Sequence, residues 1–270
     1  IGMTCDTEND EKKGAFLDFV ENVRPKLSEF SDSLNRRIVG HEAIKDLPER
    51  YDLMIRSMKN DVEIFRKENI PLSVEQTKLV TEAQTINGAM SVEYEGNEYT
   101  IPEMRVFLES NERSVREGAW KAVADRRLED EERLSEIFDQ LIVIRNEIAI
   151  NAGFETYTDY MFRAMERFDY TKNDCLEFHD AIEAVCVPLM REINSRRINS
   201  LDLGSLRPWD VNAKTGVGPD LEGRAPLKPF ADVNEMVSKL SRLFHRMSTD
   251  LGEKFDMLVE MDTLDPVSYT

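Results

Sequence analysis

The chain has 270 residues, enough for one large domain or two smaller ones with a substantial buried core. Apolar residues at 41% and charged residues at 33% describe a globular protein rather than a disordered one. Its 35 basic and 53 acidic side chains leave a formal charge of −18, which opposes nucleic acid and anionic membrane as general partners, because both are polyanions. No run of about 18 apolar residues is present to span a membrane. Most of the acidic excess reads as solvated helix surface. The first residues, Ile1-Gly2-Met3-Thr4-Cys5, show no basic stretch followed by an apolar one, so no signal peptide is visible, and a chain that starts with Ile need not show its natural ends. Cys5, Cys175 and Cys186 are an odd number without a CxxC pair. That argues against a disulfide framework and against a cysteine zinc site, and fits a reducing, cytoplasmic setting.

Nearly every long segment repeats its apolar residues with the helical period. Phe16, Phe19, Val20, Val23, Leu27, Phe30 and Leu34 predict a first helix, bent at Pro25, and Leu53, Met54, Met58, Val62 and Phe65 a second. Ser73-Val74-Glu75-Gln76 has the spacing of a capping box and predicts the start of a third helix through Leu79, Ala83 and Ile86. Alternation over residues 92–101 about a Gly96-Asn97 turn predicts a short hairpin. Helix restarts at Thr100-Ile101-Pro102-Glu103, with Thr100 as cap and Pro102 in the first turn.

Residues 111–152 hold the longest helical pattern, with room for one break and a buried stripe of Val115, Ala119, Val123, Leu134, Phe138, Leu141, Ile144 and Ile148. Gly153 stands where a helix end needs a left-handed residue. Cap signals follow at Thr156 to Asp159 and at Thr171 to Asp174. The next helix carries Leu176, Ile182, Cys186, Leu189 and Ile193 toward a core, with Pro188 as a kink. Eight Gly or Pro residues within 202–229 predict a long loop. Helix resumes after Asp232, with Val233, Val237, Leu240, Phe244 and Met247 on one face. The fold class is all-α with one short β-hairpin, and no internal repeat is evident.

Chemistry is sparse in this chain. His41-Glu42 begins like HExxH, but Lys45 takes the place of the second histidine, so no zinc grip forms there. His179 and His245 are far away, and no histidine follows a glutamate by three residues, which removes a di-iron bundle site. No Gly-x-Ser-x-Gly elbow occurs, and Cys175 and Cys186 read as unreactive helix residues near the core. Gly216-Val217-Gly218-Pro219 lacks the strand and the amide donor of a phosphate loop. Glu129-Asp130-Glu131-Glu132 reads as the wet side of a long helix.

Several stretches together resemble zinc oligopeptidases of the thimet oligopeptidase/oligoendopeptidase F family. They are Asn87-Gly88-Ala89-Met90 with the hairpin that follows, Glu112-Arg113-Ser114-Val115-Arg116-Glu117-Gly118-Ala119-Trp120, and Phe138-Asp139 with Leu141. Ile144-Arg145-Asn146-Glu147 follows, then Ala152-Gly153-Phe154, Tyr157 with Asp159-Tyr160, and Leu206-Arg207-Pro208-Trp209-Asp210 downstream of Val187-Pro188. The resemblance runs over about residues 12–263. It implies a two-lobed, mainly helical metallopeptidase that admits short unfolded peptides to a deep channel. A zinc on an HExxH helix, with a further glutamate ligand, would activate water there, with the motif glutamate as general base.

Those catalytic and metal positions have no counterpart in this sequence, so no catalytic residue and no metal ligand is carried over. The resemblance divides the chain into an N-terminal helical domain, 1–110, and the first helices of the peptidase domain, 111–270, ending before the zinc motif. Zinc is expected for the full-length parent and not for this chain, which should be inactive alone. Arg207, Trp209 and Asp210 are the candidates for the side of the substrate channel. The alternative for them is structural, with Trp209 an aromatic anchor and Asp210 capping or pairing locally. The hairpin is a candidate groove edge for peptide addition, or simply a structural edge. Short peptides are the expected partners, without nucleic acid or membrane. A second reading, from another class, is a non-catalytic helical module that binds peptides or proteins.

Overall fold

A computed structural model describes residues 9–211 and 229–264. The Gly216–Pro219 segment, Cys5 and the ends of the chain lie outside the described residues. The elements in order are α1 (Asp10–Asp18), α2 (Arg24–Val39), α3 (Asp52–Ile64), α4 (Asn69–Gly88), β1 (Ser91–Tyr94), β2 (Asn97–Thr100), α5 (Arg105–Leu108), α6 (Arg113–Leu128), α7 (Glu131–Asn151), α8 (Tyr157–Ala164), α9 (Lys172–Ser200), α10 (Val233–Met247) and α11 (Thr249–Glu260). The fold is all-α with one two-stranded hairpin among the described residues, as the periodicity predicts. None of the helices among the described residues is long and apolar enough to cross a membrane.

Local chemistry accounts for most of the boundaries. α1 and α2 are joined by a π-helical turn, Phe19–Val23, in which the Arg24 amide donates to the Phe19 carbonyl. The irregularity thus precedes Pro25, whose ring is incompatible with a regular preceding turn. α4 begins at Asn69, four residues before the predicted capping box. Pro71 is tolerated in its first turn, and Asn69 is held by tertiary bonds: its Nδ2 donates to the Ile148 carbonyl at 2.9 Å, and its Oδ1 accepts from Asn151 at 2.9 Å. The hairpin turn is Glu95-Gly96, not Gly96-Asn97, with φ of 50° and 80°, the positive pair that a two-residue hairpin turn demands.

The long pattern from 111 to 152 divides at Glu129-Asp130, so this acidic run is a helix junction rather than one wet face; Asp130 accepts from Arg126 at 2.6 Å. Within α7, Ile137, one turn before Leu141 and packed with it and Leu79, takes the buried position predicted for Phe138, which is exposed. Gly153 has φ +87°, and the Phe154 amide reaches back to the Ala149 carbonyl at 2.9 Å to close α7.

The chain forms two compact units, each drawing residues from both sides of position 110. The first comprises 1–91 and 124–196. Here α2 packs on α3, α4 on α7, and α8 on both α3 and α7. Leu79, Ile137 and Leu141 make its densest apolar cluster, with Val80, Ala83, Ile86 and Ile144 against them. Burying an aliphatic side chain of this size stabilises by roughly 1.5–3 kcal/mol. Asn60 and Arg163 tie α3 to α8, the Arg163 Nε donating to Asn60 Oδ1 at 2.6 Å and Asn60 Nδ2 to the Arg163 carbonyl at 2.9 Å.

α9 departs from its predicted role. It runs through Pro188 without a break, but Leu176, Val185, Cys186 and Leu189 are exposed and Ile182 lies at the edge of exposure, so the predicted core stripe is uncovered among the described residues. Cys186 is accordingly an exposed thiol and not a core residue.

The second unit comprises 92–123 and 197–270. Val92, Met104 and Ala119 are its buried cluster, wrapped by Tyr94, Tyr99, Phe107 and Val123. Tyr94 donates to the Val115 carbonyl at 3.1 Å, and its ring lies over Gly118, where an added Cβ would sit 3.0 Å from the phenol oxygen. α10 and α11 form a helical hairpin in this unit, with Phe244 against Phe255 at 5.0 Å between ring centroids. α11 has no counterpart in the sequence-based reading, which stops its last helix at Met247.

Candidate functional site

The residues singled out from the sequence, Arg207, Trp209 and Asp210, meet in one tight turn of the second unit. Pro208–Asp210 is a single 3₁₀ turn, with Pro208 at its first position, where a missing N–H costs nothing. Arg207 precedes it in extended conformation, φ −124° and ψ 163°, and its side chain is exposed. The Arg207 amide donates to Asp210 Oδ2 at 2.9 Å, which closes the turn on itself.

Asp210 is 0% exposed, and α6 supplies its other partners. Arg113 grips it with two donors, Nε to Oδ1 at 3.0 Å and Nη2 to Oδ2 at 2.8 Å. Arg116, three residues on and so on the same helix face, adds Nη2 to Oδ1 at 3.0 Å. Arg116 is itself only 2% exposed and spends its remaining donors on carbonyls: Nε on Trp209 at 2.9 Å, and Nη1 on Ser110 at 2.9 Å and Asn111 at 3.1 Å. Burial alone pushes the Asp210 carboxyl upward. The hydrogen bonds from Arg113, the Arg207 amide and Arg116 outweigh it and hold the acid below the usual carboxylate range. Arg113 is correspondingly raised, chiefly by its bond to Asp210.

With its oxygens filled by protein donors, Asp210 is a structural lock for the turn. What the lock displays is Trp209. Its ring meets Trp120 at 5.7 Å and a tilt of 56°, with the Lys121 ammonium 5.6 Å and the Arg113 guanidinium 6.0 Å from its centroid. Its indole N–H is buried and has no hydrogen-bond partner. Arg113 and Arg116 are partners of Asp210 that the sequence alone does not single out as such. Their signal was two arginines three apart on one helix face, inside the very stretch that carries the family resemblance.

Metal-binding groups do not converge. Among the described residues no three His, Cys, Asp or Glu side chains stand together as a cation site. His41 Nδ1 accepts from the Ala43 amide at 3.2 Å, His245 Nε2 pairs with Asp256 at 2.7 Å, and His179 lies exposed on α9. The described residues therefore do not fit a zinc ion, and no reaction step can be drawn through one here.

The architecture is that of an all-helical framework whose second unit pins an aromatic turn by a buried arginine–aspartate cluster. Residues 106–249 match the model of peptidase family M3, and the chain belongs to that family. No curated protein matches it. Among solved structures, a protein called an oligoendopeptidase F, from Bacillus anthracis str. Ames, superposes with a TM-score of 0.88 at 20% identity, over 97% of this chain and 47% of that one. PZ peptidase A, solved with an inhibitor, gives 0.88 at 22% identity, over 97% of this chain and 46% of that one. The chain thus spans just under half the length of these structures, and at such identities the likeness establishes the fold.

Proposed function

We propose that the parent of this chain is a zinc-dependent oligoendopeptidase that hydrolyses peptide bonds in short unfolded peptides. In this reading, residues 9–211 and 229–264 belong to its helical framework and the reacting groups lie elsewhere. The observation that carries the reading is the match to peptidase family M3 across residues 106–249. The peptidase domain then begins near residue 111, and zinc belongs to the parent and not to this chain. On this reading the isolated chain neither holds zinc nor cleaves peptides. Arg207, through its exposed side chain, and Trp209, through its half-buried ring, are the groups offered toward substrate, while Asp210 positions both through the turn. Free Cys175 and exposed free Cys186 agree with a reducing, cytoplasmic setting.

The reading as a self-sufficient binding module is disfavoured by α9. Phe178, Val185 and Leu189 recur along one face of that helix and are all more than half exposed, Val185 at 70%. Contiguous apolar surface of this kind marks a place where further polypeptide packs. The test is the natural reading frame beyond the codon for Thr270. An HExxH within about a hundred residues supports the peptidase reading; a stop codon before any such motif overturns it.

A further inference from the structure

A cleft of ≈ 1270 Å³ opens within the first unit, between the 3₁₀ turn Glu42–Asp46, α3, α8 and the segment 167–172. It exceeds the roughly 300–1,000 Å³ of small-molecule pockets. Its walls carry six cations, Lys45, Arg56, Lys59, Arg163, Arg167 and Lys172, against three acids, Asp52, Glu63 and Asp159. Asp169 adds a fourth acid from the rim, 3.3 Å from Arg56. The chain as a whole has the opposite balance, 35 basic to 53 acidic side chains.

The fold uses only half of these cations. Arg163 is paired with Glu63, Lys172 with Asp159 at 2.9 Å, and Arg56 with Asp169. Lys45, Lys59 and Arg167 have no carboxylate partner among the described residues. Beneath them the lining is apolar, with Ile44, Val62, Phe154, Phe162 and Phe168.

We propose that this cleft binds acidic peptide segments, their carboxylates meeting Lys45, Lys59 and Arg167 and their apolar side chains the aromatic floor. The floor itself decides between peptide and nucleic acid. The Arg56 guanidinium already covers the Phe168 ring at 4.2 Å, and Arg167 covers Phe162 at 5.2 Å. Those ring faces are closed to stacking bases; Arg56 is already committed to Asp169 and the Phe168 carbonyl, while the Arg167 guanidinium presents the planar fork that carboxylates accept. The surrounding field of a chain at −18 repels a long polyphosphate more than a short peptide with two or three charges. A peptide held here is bound and not cleaved, so the inference stands or falls apart from the parent's peptidase activity.

The test is fluorescence anisotropy of the 270-residue chain with a fluorescein-labelled pentapeptide of alternating glutamate and phenylalanine. Comparison probes are the same peptide with lysine for glutamate, a single-stranded octanucleotide, and inorganic phosphate as competitor. Saturable binding of the acidic peptide is expected, weakened by salt and by about tenfold or more in the triple variant Lys45→Glu, Lys59→Glu, Arg167→Glu. The triple variant Lys26→Glu, Arg127→Glu, Lys254→Glu, which changes the net charge equally outside the cleft, should bind as the parent chain does, with both variants unchanged in circular dichroism. Absence of binding, equal loss in both variants, tighter binding of the octanucleotide or lysine peptide, or full displacement by phosphate at equimolar concentration would each overturn the proposal.

Discussion

Replacing Asp210 with alanine should be among the most damaging single changes in the second unit. The substitution leaves Arg116, 2% exposed, as a buried guanidinium without its counter-charge, though still bonded to three carbonyls. Breaking a buried pair from one side costs about 3–5 kcal/mol. Arg113 is 39% exposed and can turn to water, so its share is left out of that figure. Asp210→Asn should be nearly as harmful, because an amide offers one acceptor and points donors at donors. Arg116→Met combined with Asp210→Leu should recover part of the loss, since an apolar pair leaves no orphaned charge.

Urea unfolding reads this unit selectively, because both tryptophans, Trp120 and Trp209, belong to it, whereas far-ultraviolet circular dichroism reports the whole chain. Acid provides a second axis. The folded carboxyl sits below the ordinary aspartate value of about 3.9, so its stabilisation is complete above that value and is lost as pH falls through the depressed folded pKa. The parent chain should show this acid-side loss and Asp210→Asn should lack it. A fluorescence-detected stability for Asp210→Ala within about 0.5 kcal/mol of the parent chain would refute the lock.

Other substitutions test the remaining joints. Ile137→Ala, at 1% exposure in the main cluster of the first unit, should cost about 2–5 kcal/mol in urea unfolding followed by circular dichroism. Gly153→Ala forces a Cβ onto a φ of +87° and should lower stability by about 1 kcal/mol, with Gly153→Asn milder. Gly252→Ala places a Cβ 2.3 Å from the His245 ring, so it should expel the imidazole from its 2.7 Å bond to Asp256 and cost about 1–3 kcal/mol. Adding His245→Ala should remove the clash and return most of that loss, measured by thermal unfolding of the three variants.

Features whose cause lies within one turn of the chain were legible from sequence. The Thr156, Thr171 and Asp232 caps all form, each accepting from an amide three residues on, and Gly153 takes its left-handed place; Thr100 accepts from the Glu103 amide in the same way but closes a turn, and α5 starts only at Arg105. Errors arose where distant packing overrode local signals. Asn69, bonded to α7, starts α4 ahead of the Ser73 box, and packing with Leu79 takes Ile137 inward in place of Phe138. The amphipathic pattern of α9 is real, yet periodicity states only that a face is apolar, not that anything among the described residues covers it. The arginine–aspartate lock joins positions 97 and 94 apart in sequence, and no spacing rule links two arginines to an acid at that range. The sequence pointed to the turn, and the fold alone revealed what holds it.

The proposed zinc oligoendopeptidase activity belongs to the full-length parent, whose helical framework this family M3 chain supplies under that proposal. The most direct measurement is cleavage of a short internally quenched peptide by the full-length parent, before and after chelation and with zinc restored. Cleavage that is abolished by chelator, recovered with zinc, and absent for the same sequence inside a folded protein is the predicted result. A full-length protein that binds the peptide but leaves it intact with zinc present would contradict the claim.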